Sequence, residues 1–168
     1  MEIELFCCSS PWEEFHATFS SWEELFRYED IENIRELYCS NNQLTSLPES
    51  IGNLIHLEIL DCSGNQLTFL PESIGNLRNL GALHCSNNQL TYLPQSIGNL
   101  QNLEVLNCSS NQLTSLPGFI ENLDNLKMLL CTENPLDFFS QEIVTRVYTR
   151  RIDNVERIIN ARVNHLVQ

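Results

Sequence analysis

The chain has 168 residues, enough for one domain with its own core. Its 22 acidic residues against 9 Lys and Arg give a net charge of -13, which repels phosphate backbones and anionic lipid and so argues against a nucleic-acid or membrane partner. Seven cysteines, an odd number, do not make a secreted disulfide framework; no basic leader is visible and no apolar run is long enough to span a bilayer, so a reducing, cytosolic compartment is expected.

In chain order, Ile3, Leu5 and Cys7 alternate with Glu4 and Phe6. Period two predicts a strand over residues 3–7, a degenerate first repeat that extends a sheet. Ser10-Pro-Trp-Glu13 and Ser20-Ser-Trp-Glu23 both read as capping boxes, so residues 10–30 are expected to be helical. Trp12, Phe15, Phe19, Trp22, Leu25 and Phe26 give that segment an aromatic face, read here as a cap on the N-terminal end of the core.

At Ile34 a pattern begins that returns from Leu57, Leu80, Leu103 and Leu126, 23 residues apart each time. Leu57-Glu-Ile-Leu60-Asp-Cys62-Ser-Gly-Asn65-Gln-Leu67 represents it: Leu at positions 1, 4 and 11, Cys at 6, Asn at 9. Self-similarity at a fixed period of this length marks a solenoid. Alternation along each strand sends positions 4 and 6 (Leu60 and Cys62 here) inward and positions 3 and 5 outward. The Asn at position 9 is expected to stack its amide on loop backbone that no strand can satisfy. The returning half, such as Leu67-Thr-Phe-Leu70-Pro71-Glu-Ser-Ile74-Gly-Asn-Leu77, is expected to make a short convex helical turn opened by Pro and ended by Gly. Gly118 and Glu121 break that pattern in the fourth unit, so its convex segment is expected to differ in detail.

After Pro135 the pattern ends. Ser140 reads as an N-cap, and Ile143, Val144, Val147 and Tyr148, then Ile152 onward to Leu166, recur at helical spacing. A C-terminal helix covering the last repeat is predicted. The expected layout is one domain: an N-terminal strand and cap over 1–33, repeats over 34–136, and a helical cap over 137–168.

The motif L-x-x-L-x-C-x-x-N-x-L resembles the leucine-rich repeat, with Cys at the sixth position, and the returning half resembles its L-P-x-x-I-x-x-L class. The resemblance covers roughly residues 31–136 and five units in one register. It implies an α/β fold: a horseshoe solenoid with a parallel concave sheet, short convex helical turns and helical caps at both ends. Similar units occur in host signalling scaffolds and in effectors of intracellular bacterial pathogens. The resemblance therefore implies a binding scaffold, with the expected role a protein-protein interaction module, an effector or adaptor in the host cytosol. A bacterium would export it without a classical signal peptide. The alternative is a regulatory or targeting subunit of a larger assembly.

Two outward columns carry the expected site. Position 3 runs Glu36, Ile59, Ala82, Val105, Met128; position 5 runs Tyr38, Asp61, His84, Asn107, Leu130. Contiguous exposed apolar surface marks interaction sites. The expected partner-binding set is Tyr38, Ile59, Asp61, Ala82, His84, Val105, Asn107, Met128 and Leu130, facing a protein with a basic patch that complements the acidic chain. A monomer is expected. Asp61 beside His84 could orient a base, but no nucleophile accompanies the pair, so no catalytic residue is assigned and the chain is read as a non-enzyme. The cysteines at a spacing of 23, without C-x-x-C, and the scattered His16, His56 and His165 show no metal-ligand spacing, so neither metal nor cofactor is expected. Some bacterial repeat effectors carry a ubiquitin-ligase domain with a catalytic Cys. No Cys follows Cys131 here, so that activity is not carried over.

Overall fold

A computed structural model describes residues 5–10, 13–145 and 147–148. The expected helical positions from Ile152 to Leu166 lie outside them, as do the side chain of Trp12 and residue Ile3. Leucines and isoleucines at fixed offsets generate the solenoid. Position 1 (Ile34, Leu57, Leu80, Leu103, Leu126) and position 4 (Leu37, Leu60, Leu83, Leu106, Leu129) are buried in every unit. So are the returning leucines such as Leu67 and Leu70 and the convex isoleucines Ile51, Ile74, Ile97 and Ile120. Apolar side chains from strand, return and convex turn thus meet in one continuous core, which stacking closes and no single unit could close alone.

With β1 (Leu5–Ser10) and β2 (Glu13–Phe19) ahead of five repeat strands β3 to β7, the described residues form a seven-stranded sheet in the order β2-β1-β3-β4-β5-β6-β7. β3 (Glu36–Tyr38), β4 (Ile59–Asp61), β5 (Ala82–His84), β6 (Val105–Asn107) and β7 (Met128–Leu130) are the repeat strands. They pair in parallel with a constant register, Ile59 opposite Ala82 and Ala82 opposite Val105. Each is three residues long, although the ladder runs on through the cysteine: Cys62 N–H donates to His84 O at 2.8 Å.

The N-terminal segment departs from expectation in two ways. β1 (Leu5–Ser10) does extend the sheet, but antiparallel to β3, so it is not a degenerate repeat strand. Residues Glu13–Phe19, expected as helix, form strand β2, which pairs antiparallel with β1 as a hairpin. Phe15, Ala17 and Phe19 alternate with Glu14, His16 and Thr18, a period of two that outweighs the capping signal at Ser10 once a partner strand lies alongside. Among the described residues of this segment, a 3-10 turn forms at Ile31–Asn33 and α-helix is confined to α1 (Trp22–Phe26). Its capping box lies one residue beyond the expected one: Ser21 Oγ accepts from Glu24 N–H at 3.2 Å, and the Glu24 carboxylate accepts from Ser20 N–H at 2.8 Å.

The convex turns are 3-10 helices, Glu49–Asn53, Glu72–Asn76, Gln95–Asn99 and Gly118–Asn122. The prolines precede them in extended conformation. The glycines do not end them: Gly52, Gly75 and Gly98 lie inside the turns, and none has positive φ. Their role is close approach. A Cβ on Gly52 would lie 2.5 Å from Ser73 O, and one on Gly75 would lie 2.5 Å from Ser96 Cβ. Each convex glycine thus receives the serine of the next unit. Phe119 takes that serine's place against Gly98, where a Cβ would meet its ring side at 3.2 Å. No further convex 3-10 turn follows the Gly118–Asn122 turn among the described residues, which explains why Glu121 can stand where the others need glycine.

Residues 138–145 and 147–148 are helical (α2). The N-cap is Asp137 rather than the expected Ser140: its Oδ1 accepts from Ser140 N–H at 2.8 Å. Ser140 is itself buried, and its Oγ accepts from Leu116 N–H at 2.7 Å. Ile143 and Val147 close over the last repeat.

Candidate functional site

The loop that leaves each strand is held by a column of asparagines. Asn88 Nδ2 donates to Cys62 O, Cys85 O and Ser86 O at 3.0, 3.2 and 3.1 Å, while its Oδ1 accepts from Leu67 N–H at 2.9 Å. Asn65, Asn111 and Asn134 repeat this pattern. Each buried amide is therefore bonded on both its donor and acceptor sides, which is what makes its burial tolerable. Just before it, Asn41, Asn87, Ser110 and Glu133 adopt φ of 54–58°, and Gly64 a φ of 66°. A left-handed residue at this position in every unit, joined in the first by Gln43 at φ 57°, turns the chain away from the sheet. Together these contacts fix the strands in step and hence fix what they display.

Along β3 to β7 the middle residue is buried and its two neighbours face out. All nine expected contact residues, Tyr38 and Ile59 through Leu130, do occupy the concave face. They are not equally open. Ile59, Ala82, Val105, Asp61, His84 and Asn107 are half-buried, whereas Met128 and Leu130 are 40% and 36% exposed. Tyr38 OH bonds Glu36 Oε2 at 2.8 Å, which ties the two columns together at the N-terminal end.

The polar column is arranged for structure. Asp61 Oδ1 accepts from Ser63 N–H at 2.9 Å and from Ser63 Oγ. Asn107 Oδ1 accepts from Ser109 N–H at 3.2 Å. These are local Asx turns that begin the exit loop. No hydrogen bond joins Asp61 to His84, so the carboxylate that could have oriented an imidazole faces its own loop instead. Among the described residues no group of His, Cys, Asp and Glu could hold a metal ion.

Cys39, Cys62, Cys85 and Cys108 are buried free thiols, and Cys131 is partly buried. Burial disfavours the thiolate and pushes the Cys62 and Cys108 pKa up to about 12, with Cys39 and Cys85 raised as well. These are inert core groups of small volume.

Two further columns carry side chains that the motif analysis passed over. Asn79, Asn102 and Asn125 donate Nδ2 to Ile55 O, Arg78 O and Gln101 O at 2.9, 2.8 and 2.7 Å, a second amide ladder where the chain rises into the strands. Phe69 and Tyr92 stand exposed at one position of adjacent units. Both columns recur at the period of 23 and were visible to a search of every position rather than of the leucines alone.

Residues 23–133 match the family model of a leucine-rich repeat region. The chain belongs to the leucine-rich repeat family. It is similar to a solved leucine-rich-repeat protein of Leptospira interrogans, with 34% identity and a TM-score of 0.58 over 71% of this chain and 36% of that one. It is similar to the functional domain of InlJ from Listeria monocytogenes, described as including a cysteine ladder, with 32% identity and a TM-score of 0.57 over 63% of this chain and 22% of that one. It is also similar to a chain of the BIR3–SERK2 complex from Arabidopsis thaliana, with 34% identity and a TM-score of 0.57 over 62% and 58%. The chain thus spans less than two thirds of each of these neighbours, from 22% to 58%. No curated protein matches it. No helix among the described residues is long and apolar enough to cross a membrane.

Proposed function

We propose that the concave face binds a protein partner, and that the chain serves as an adaptor or bacterial effector in a host cytosol. The observation that carries the reading is the strip Ile59, Ala82, Val105, Met128, continued by Leu130, set side by side on strands in one register. The asparagine ladder and core hold these side chains in place, so little ordering is needed on binding. Exposure that rises toward Met128 and Leu130 makes the C-terminal end of the strip its most open apolar part. Leucine-rich repeats commonly serve as protein-interaction modules, and one similar structure is itself a complex of two proteins. Two of the similar structures, from Leptospira interrogans and Listeria monocytogenes, are bacterial, which supports the bacterial part of the reading.

The test uses a partner captured from host-cell cytosol and identified. Val105→Glu places a charge in the middle of the strip and should weaken binding by about 2 kcal/mol or more, with folding retained because the side chain faces outward. Gln95→Glu adds the same charge on the convex side and should bind like the parent. Loss of affinity in Gln95→Glu with none in Val105→Glu would move the binding face to the convex side.

A further inference from the structure

Position 2 of the motif, just before each strand, carries Arg35, Glu58, Gly81, Glu104 and Lys127 in order along the stack. The backbone pins this column. Gly81 N–H and Ala82 N–H both donate to Glu58 O, at 2.8 and 3.0 Å, and Glu104 N–H and Val105 N–H both donate to Gly81 O, at the same distances. The column therefore lies along the margin of the concave sheet, in step with the apolar strip beside it. Its charge runs positive, negative, none, negative, positive. Arg35 faces Glu58 at 3.7 Å and Lys127 faces Glu104 at 2.6 Å, so the cations lie toward the ends and the carboxylates flank the centre. Exposed pairs of this kind are weak and screened.

The side chains are also smallest at the centre. Gly81 has no side chain, and a Cβ there would meet only Glu58 O at 3.6 Å. Ala82, next in the chain, is the smallest member of the strip. A cleft of about 410 Å3 opens here, lined by Glu58, Asn79, Gly81, Asn102, Glu104 and Asn125. The asparagines turn their NH2 groups to backbone carbonyls. Each amide spends a donor on the backbone and keeps an acceptor oxygen. The lining thus offers two carboxylates and three side-chain amides beside an apolar strip. Such a surface suits one kind of side chain, with an aliphatic stem and a cationic, donor-rich head.

Building on the concave-face reading above, we infer that the notch at Gly81 and Ala82 receives an arginine from an extended segment of the protein partner. The stem crosses the strip at Ala82, and the guanidinium lies between Glu58 and Glu104. Arginine fits better than lysine because five donors in a planar fork reach several oxygens at once, where an ammonium is a point charge. The net charge of -13 draws such a segment toward the face.

Short random peptides displayed on phage, selected on the immobilised full chain and resynthesised with blocked ends, supply the probe. The expected binders carry an arginine flanked by apolar residues. Replacing that arginine by citrulline should weaken binding about tenfold or more. Gly81→Leu, which fills the notch, and the double variant Glu58→Gln with Glu104→Gln should each do the same while keeping the parental melting temperature. Val105→Asn reports on the strip without adding charge. Peptides that lose affinity in Val105→Asn but bind the Gly81 and double-Gln variants like the parent would overturn the arginine notch and leave the concave face standing. Peptides indifferent to Val105→Asn would overturn both. A selection that returns no arginine-bearing binder would also overturn the notch.

Discussion

Tyr148 of α2 donates its hydroxyl to the backbone carbonyl of Leu129, 2.7 Å away on β7. β7 is the last strand of the sheet among the described residues, and an open edge offers unpaired backbone groups to any other strand. The tyrosine occupies one of those groups, while Ile143 and Val147 cover the apolar end of the stack. Tyr148→Phe keeps the ring and loses the bond, so it should lower stability by about 1 kcal/mol in urea melts. Truncation before Asp137 should do far more, with soluble aggregates in gel filtration. A truncated chain that stays monomeric and melts like the parent would show that α2 does not cap.

The two asparagine ladders should differ sharply in cost. Asn88→Ala removes four bonds in a buried loop and strands several backbone groups, each at roughly 1–3 kcal/mol, so a large loss of stability is expected. Asn79→Ala removes one exposed bond that water can replace, and should cost about 1 kcal/mol or less. Equal effects in chemical denaturation would contradict the assignment of the first ladder as the spine of the fold.

Convex glycines can be separated by what lies above them. Gly75→Ala drives a methyl into Ser96 and should destabilise by roughly 1–3 kcal/mol, as overpacking does. Gly118 has nothing within 4 Å of a built Cβ and no positive φ. Gly118→Ala should therefore be neutral or stabilising by up to about 1 kcal/mol, since it narrows the unfolded ensemble.

The thiol column makes stability fall at alkaline pH. Burial raises the folded-state pKa of Cys62 and Cys108 to about 12, and raises Cys39 and Cys85 too, above the value near 8.5 of an unfolded thiol. The unfolded chain therefore loses these protons first. Stability from this source is fully present below about pH 8.5 and is lost as pH rises toward 12. Melting temperature should drop through that window, and Cys85→Ala should drop less steeply than the parent. At neutral pH Cys85 should resist a bulky maleimide until denaturant is added; rapid labelling would place it outside the core.

Much of this was legible because one period governs it. Leu60, Cys62 and Asn65 fall into place from alternation and spacing, and their counterparts repeat the answer in every unit. The segment Glu13–Phe19 was not legible in the same way. Seven residues with both a serine cap signal and a period-two pattern are decided by the strand that lies beside them, and β1 pairs with β3 in a direction that no local signal sets. The glycine roles were hidden for a related reason. A C-terminal Gly in a turn suggests left-handed backbone, yet Gly52 and Gly75 are small because of Ser73 and Ser96, one unit further on. At the candidate site, the alternation gave Ile59, Ala82, Val105 and Met128 their face, but not their depth. It also placed Asp61 beside His84, where only coordinates could reveal that Ser63 holds the carboxylate.

The amide ladders and the glycine–serine contacts that join one unit to the next each reach a single neighbour. Asn88 reaches the loop before it, and Ser96 settles on Gly75. A tandem duplication of one 23-residue stretch, such as 77–99, would therefore recreate each of these contacts at its new junction and lengthen the display surface by one strand. An insertion of any other length would offset both amide ladders and the glycine–serine contacts together. The gene can thus change the width of the concave face in whole steps, while the Gly118–Asn122 turn and α2 travel unchanged beyond the added unit.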